Sequence, residues 1–183
     1  MPFYMYDPPQ RFVAGAVGQP GERTFYLQAT DGNRITSVSL EKFQVTQLAE
    51  RLDELLDEVL RRTGGPASGG AGTPADDGPL DLPLMEEFRV GAIALAWDGE
   101  SDRVVIEAQE ESESPMEPLA DEIPADGPGV LRVRLTPQAA RAFAQRALRI
   151  VAQGRPPCPL CGLPLDAAGH VCPRQNGYRA GHD

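Results

Sequence analysis

The sequence predicts an α+β protein: two βββα units in tandem, their strands forming an antiparallel sheet packed on two helices, plus a small C-terminal zinc ribbon. Three observations lead there. Short alternating segments bounded by turn residues are followed by a long segment of helical periodicity, and this order occurs twice. The two occurrences also resemble each other, with RFVAGAVG set beside FRVGAIAL and LAERLDEL beside FAQRALRI. Beyond the second helical segment, three cysteines and a histidine fall between positions 158 and 172.

In the first unit, residues 11–18 alternate apolar and small side chains, and Gln19-Pro20-Gly21-Glu22 is a turn. Residues 23–29 form a second strand, Asp31-Gly32-Asn33 carries hairpin chemistry, and residues 34–40 form a third strand. A helix over residues 42–62 places Val45, Leu48, Leu52, Leu55, Leu56 and Val59 on one stripe. The second unit repeats the order: strands over 87–97, 103–108 and 130–135, then a helix over 137–153. Thr136 is its N-cap, Pro137 suits the first helical position, and the apolar stripe is Ala140, Phe143, Ala147, Leu148 and Val151. The boundaries that follow are 1–62 for the first unit, 63–83 for a flexible Gly/Pro linker, 84–153 for the second unit and 154–183 for the ribbon tail. Residues 110–129 hold seven acidic groups and no basic one. They lack the oxygen spacing and turn glycine of a calcium loop, so they read as a solvated acidic loop.

The two units are expected to join in a single antiparallel sheet or to pack as a pseudo-dimer, with a pseudo-two-fold groove between them that could take a ligand. Arg11, Arg23, Glu87 and Arg89 lie on strands at corresponding places in the two units and are the candidate ligand contacts. Asp7, Glu41, Asp98 and Glu107 are further polar groups able to do chemistry, each with an ordinary reading as a solvent-facing strand or turn residue. Trp97 alternates with the apolar face and reads as core.

Composition narrows the function classes. The chain has 183 residues and a net charge of −10; residues 154–183 carry +1, leaving −11 on the remainder. Such a body repels phosphate backbones and anionic lipid at long range. Lys42 is the only lysine. The first ten residues are not a signal sequence, no apolar run approaches a membrane span, and the cysteines sit in one motif, so the expected compartment is the cytoplasm. There is no phosphate loop, Gly-x-Ser-x-Gly elbow, HExxH or dinucleotide fingerprint, and only two histidines, which argues against an enzyme.

Cys158-Pro-Leu-Cys161-Gly162 has the form of a zinc knuckle. The two-residue spacing lets both thiolates reach one ion, and Gly162 supplies the positive φ that the turn needs. His170-Val-Cys172 returns a second ligand pair after a short hairpin length. Cys158, Cys161, His170 and Cys172 therefore make a closed Cys3His set for a structural Zn2+. A redox CxxC pair usually opens a helix after a strand, whereas prolines and a glycine flank this one. A disulfide with one free thiol, and a catalytic zinc with an open position, are the other readings; His182 is an alternative to His170. Arg155, Arg174, Gln175, Asn176, Tyr178 and Arg179 form a basic, polar and aromatic cluster at the end of the ribbon. Arg174, Asn176 and Tyr178 are its candidate partner contacts, with protein or the chain's own acidic body favoured over nucleic acid.

Three long blocks, DPPQRFVAGAVGQPGERTFYLQA (7–29), EEFRVGAIALAWDG (86–99) and RPPCPLCGLPLDAAGHVCPRQNGY (155–178), resemble the signature segments of DUF3090, a bacterial family typical of actinobacteria. The resemblance covers nearly the whole chain, with the linker and the acidic loop as its variable parts. It implies no established activity. It does imply association with a kinase-like or a phosphatase-like protein, because such proteins are often encoded beside family members. The expected function is a zinc-containing interaction or adaptor protein. A binder of a small, phosphate-bearing molecule, or an enzyme, using the groove between the repeats is the alternative. Nucleic-acid binding through the ribbon is a third.

Overall fold

The computed structural model describes residues 2–19, 21–63 and 76–153. The chain runs β1 (Phe3–Tyr6), β2 (Arg11–Val17), β3 (Thr24–Asp31), β4 (Arg34–Leu40), α1 (Lys42–Thr63), β5 (Glu86–Asp98), β6 (Arg103–Glu110), β7 (Val130–Leu135) and α2 (Pro137–Ala152). The class is α+β, as expected. The seven strands form one sheet in the order β1-β7-β6-β5-β4-β3-β2.

The sheet is mixed, which corrects the expectation of an antiparallel one. β2-β3-β4 and β5-β6-β7 are antiparallel meanders, but β4 pairs β5 and β1 pairs β7 in parallel. The reason is geometric. A three-stranded meander ends pointing the way it began, and α1 with the segment after it carries the chain back to start β5 beside β4. Parallel neighbours need such a crossover. The arrangement is also a translation along the sheet: the third strand of one meander lies beside the first of the next. A two-fold axis would have placed like strands side by side, so the expected pseudo-two-fold groove is absent from the described residues.

β5 holds the two halves together. Glu86 and Arg89 pair with Ser37 and Ser39 of β4, and from Val90 onward the strand pairs with β6. The register shifts between Val90 and Ala92. Gly91 sits at the shift, where a Cβ would lie 2.7 Å from Glu111 Cα, so only glycine lets the chain pass. The sheet is strongly curled. β1 and β4 are four places apart, roughly 19 Å in a flat sheet at about 4.8 Å per strand. Yet the Tyr6 and Thr36 hydroxyls meet at 2.8 Å in the buried interior. No tyrosine spans the flat distance, so the inner faces of the two halves turn toward each other.

That inner face carries the core. Phe25, Leu27 and Ala29 of β3, Val104, Ile106 and Ala108 of β6, and Leu131, Val133 and Leu135 of β7 alternate onto it, as period two requires. α1 covers it with Val45, Leu48, Ala49, Leu52 and Leu56, and α2 with Ala140, Phe143, Ala144 and Ala147. Phe143 stacks on Phe12 with ring centroids 4.6 Å apart. The Thr136 hydroxyl accepts from Ala139 N at 3.1 Å and Pro137 opens α2, as the sequence indicates. At the start of α1, Glu41 N–H donates to Gln44 Oε1 at 2.7 Å, the half of a capping box in which the side chain reaches back to the backbone. Arg141 ties the helices together through Asp53 and Asp57, both at 2.8 Å.

β1 is the one strand that the sequence pattern does not predict. Four residues beside two prolines are too short to display a period; the parallel ladder along β7 organises them.

Candidate functional site

The outer face of the sheet, opposite the helices, buries polar side chains. In the first half Gln28 of β3 is fully buried. Its Nε2 donates to Ser37 Oγ (3.1 Å) and Asp81 O (3.0 Å), and its Oε1 accepts from Asp81 N (2.7 Å). In the second half Glu107 of β6 is fully buried. It accepts from Leu119 N (2.9 Å), Gln109 Nε2 (2.9 Å) and the Arg132 guanidinium (2.5 and 2.9 Å). Glu107 is thus no solvent-facing strand residue. A carboxylate this deep is tolerated because a cation and two further donors surround it. Arg132 also donates to Ala120 O at 2.8 Å, so Glu107 and Arg132 pin the middle of the acidic loop to the sheet. Among the described residues, Gln109 Oε1 is buried without a partner.

Residues 76–83, the last part of the segment read as linker, form a strap across β2 and β3. Arg11 donates to Asp76 (2.6 and 3.0 Å), Asp81 (3.0 Å) and Gly78 O (3.1 Å). Thr30 Oγ1 donates to Asp81 at 3.1 Å. Arg146 is 4% exposed; it donates to Ala14 O (2.9 Å), Asp76 O (2.6 Å) and Asp76 Oδ1 (3.3 Å). Hydrogen bonding to Arg11 holds the Asp76 carboxyl below its usual range, while burial pulls the Arg146 guanidinium down. Leu80 seats on Gly15: a Cβ there would lie 2.6 Å from Leu80 Cγ. The sequence reading placed no weight on Arg146, since a single arginine on a helix's apolar side reads as surface until the chain that covers it is known.

The four candidate ligand contacts separate. Arg11 is committed to the strap. Glu87 accepts from the Tyr4 hydroxyl of β1 at 2.9 Å and is not among the residues lining the cleft that Arg23 and Arg89 share. Burial first, and that bond to Glu87 second, push the Tyr4 hydroxyl up to about 12. Arg23 and Arg89 come together. With Lys42, Glu41, Gly21, Thr24, Phe25 and Leu40 they line a cleft of about 340 Å³ where the ends of β3 and β4, the start of α1 and β5 meet. Arg23 stacks 4.9 Å over Phe25 and donates to Ile150 O at 3.2 Å; Arg89 pairs with Glu41 and lies 3.9 Å from Glu111. Asp7 and Asp98 share Arg134 (3.2 and 2.6 Å) at another end of the sheet, and Arg134 holds Asp98 well below the usual carboxylate range.

A larger groove, about 940 Å³, runs between α1 and β5. Leu48, Leu55, Ile93 and Leu95 line its apolar part, Phe43 stands 61% exposed at one end, and Arg51, Glu54, Glu58 and Arg61 are its charged members.

Cys158, Cys161, His170 and Cys172, with Arg174, Asn176 and Tyr178, lie outside the described residues. Among the described residues no three His, Cys, Asp or Glu are grouped to hold a metal, and no helix is long and apolar enough to cross a membrane. No curated protein and no solved structure is significantly similar to the chain. Residues 4–172, from the first tyrosine of β1 to the last cysteine of the CxxC…HxC motif, match the model described as "Protein of unknown function (DUF3090)", and the chain belongs to that family.

Proposed function

We propose that the protein is a non-catalytic interaction or adaptor protein, whose body takes a partner segment in the α1–β5 groove and whose tail holds a structural zinc. The groove carries the reading. It is long, since α1 has 22 residues and so extends about 33 Å. It is apolar where Leu48, Leu55, Ile93 and Leu95 face it, and Phe43 offers an aromatic anchor already in solvent. The body around it carries −11 charges, so the segment that fits is one with an apolar stripe flanked by Lys and Arg. A kinase-like or phosphatase-like protein, suggested by the family resemblance, is the first partner to try.

The Cys158, Cys161, His170 and Cys172 spacing supports the zinc half of the proposal: three thiolates and an imidazole complete a tetrahedral shell and leave no open position for chemistry. The repeated βββα order is read as an internal duplication. Gln28 and Glu107 add support: each sits on the middle strand of its meander, buried on the outer face, and each accepts a backbone N–H from a segment crossing above it.

Affinity capture from host extract with the full-length chain tests the groove. A protein retained by wild type and by Leu82→Asp, a change at an 80% exposed site elsewhere, should drop at least about tenfold with Phe43→Asp. Retention unaffected by Phe43→Asp would remove the groove from the reading.

A further inference from the structure

The cleft bounded by Arg23, Lys42 and Arg89 runs against the charge of the molecule. The body holds 14 basic and 25 acidic residues, yet three of the four charged side chains lining this cleft are basic, Glu41 being the exception. We propose that the cleft is an anion site that takes the phosphate group of a small phosphorylated molecule. This stands apart from the adaptor reading, since the α1–β5 groove shares none of these side chains.

The donors are poised rather than spent. Lys42, the chain's only lysine, has no side-chain partner among the described residues. Among the described residues Arg23 uses a single N–H, on Ile150 O, and its guanidinium is held over the Phe25 ring. Arg89 is half exposed and among the described residues pairs only with the exposed carboxylates Glu41 and Glu111, which an incoming dianion can displace. Because Glu41 turns its carboxylate to Arg89, the backbone N–H groups of Lys42 and Phe43 in the first turn of α1 have no acceptor among the described residues. They add hydrogen-bond donors to a site that the three side chains define. The volume, about 340 Å³, is at the small end of ligand pockets and suits a phosphate with a sugar-sized body rather than a dinucleotide. The cleft also lies where β4 passes to β5, so a ligand there would touch both meanders.

Titrating the full-length, 15N-labelled protein with inorganic phosphate and with pyrophosphate, at matched ionic strength, tests the site by NMR. Saturable shifts are expected at the amides of Lys42, Phe43 and Arg89. Lys42→Gln and Arg89→Gln should each weaken binding about tenfold or more, and their double variant should abolish saturation. Lys42→Gln removes no side-chain hydrogen bond or ion pair among the described residues, so it reads binding without loss of structure. Arg103→Gln, at a half-buried arginine that among the described residues bonds only to carbonyls of its own turn, should bind as wild type does. Shifts that rise linearly without saturating, or that survive in the double variant, would overturn the proposal.

Discussion

At the residue scale, two tyrosines decide how the N-terminal strand is held. Tyr6 reaches across the curled sheet to Thr36, and Arg34 stacks 4.3 Å over its ring. Tyr4 donates to Glu87, and its folded-state pKa of about 12 lies above the value of about 10 of an unfolded tyrosine. The folded chain therefore keeps this proton longer than the unfolded one. Tyr4 contributes stability that is fully present below about pH 10 and is lost as pH rises toward 12. Following phenolate absorbance with pH should reveal a late-titrating component that disappears in Tyr4→Phe. In Glu87→Gln it should titrate earlier, yet still above 10, because burial is the larger cause. A titration curve that Tyr4→Phe leaves unchanged above pH 10 would contradict this placement. Glu87 was legible as a polar strand residue of interest. Its partner was not, because the contact joins positions 83 apart and only the curl of the sheet brings them together.

At the element scale, periodicity was the strongest signal. Both helices and six of the seven strands were readable, since each shows its period over six residues or more; β1 has four and was missed. Pairing direction was not readable, because it depends on where a crossover returns the chain. Nor was the strap. Residues 76–83 have a linker's composition, and what orders them is remote: Arg11 on β2, Gln28 on β3 and Arg146 on α2. Gly15 is the feature that lets Leu80 approach. Gly15→Ala should lift Leu80 and speed hydrogen exchange at Asp81 N–H, which is bound to Gln28, while β3–β4 amides stay protected. Acid should act in the same direction. Asp76 is held below its unfolded value by Arg11, so its contribution is present above about pH 4 and lost as pH falls below that. Unchanged exchange at Asp81 in Gly15→Ala would mean that Leu80 does not seat the strap.

At the scale of the whole molecule, charge and architecture divide the work. Deep ionic groups are spent on structure: Glu107 with Arg132 pins the acidic loop, Arg11 and Arg146 hold the strap, and Arg141 joins the helices. The surfaces to which the two proposals assign ligands are the α1–β5 groove and the basic cleft at the β4–β5 junction. The sequence grouped Arg11, Arg23, Glu87 and Arg89 as contacts of a groove between two repeats. The fold instead places Arg23 and Arg89 at the cleft and Arg11 under the strap, because strand position in a repeat does not say which neighbours a curled sheet supplies. The spacing of Cys158, Cys161, His170 and Cys172 was the clearest chemical signal in the sequence, and it carries the zinc half of the proposed function. Elemental mass spectrometry on protein purified without added metal, for wild type and Cys161→Ser, measures this directly. About one zinc per chain is expected in wild type, lost in the variant together with thermal stability. Folded wild-type protein that is free of zinc and carries reactive thiols would contradict it and bring the redox reading of Cys158 and Cys161 forward.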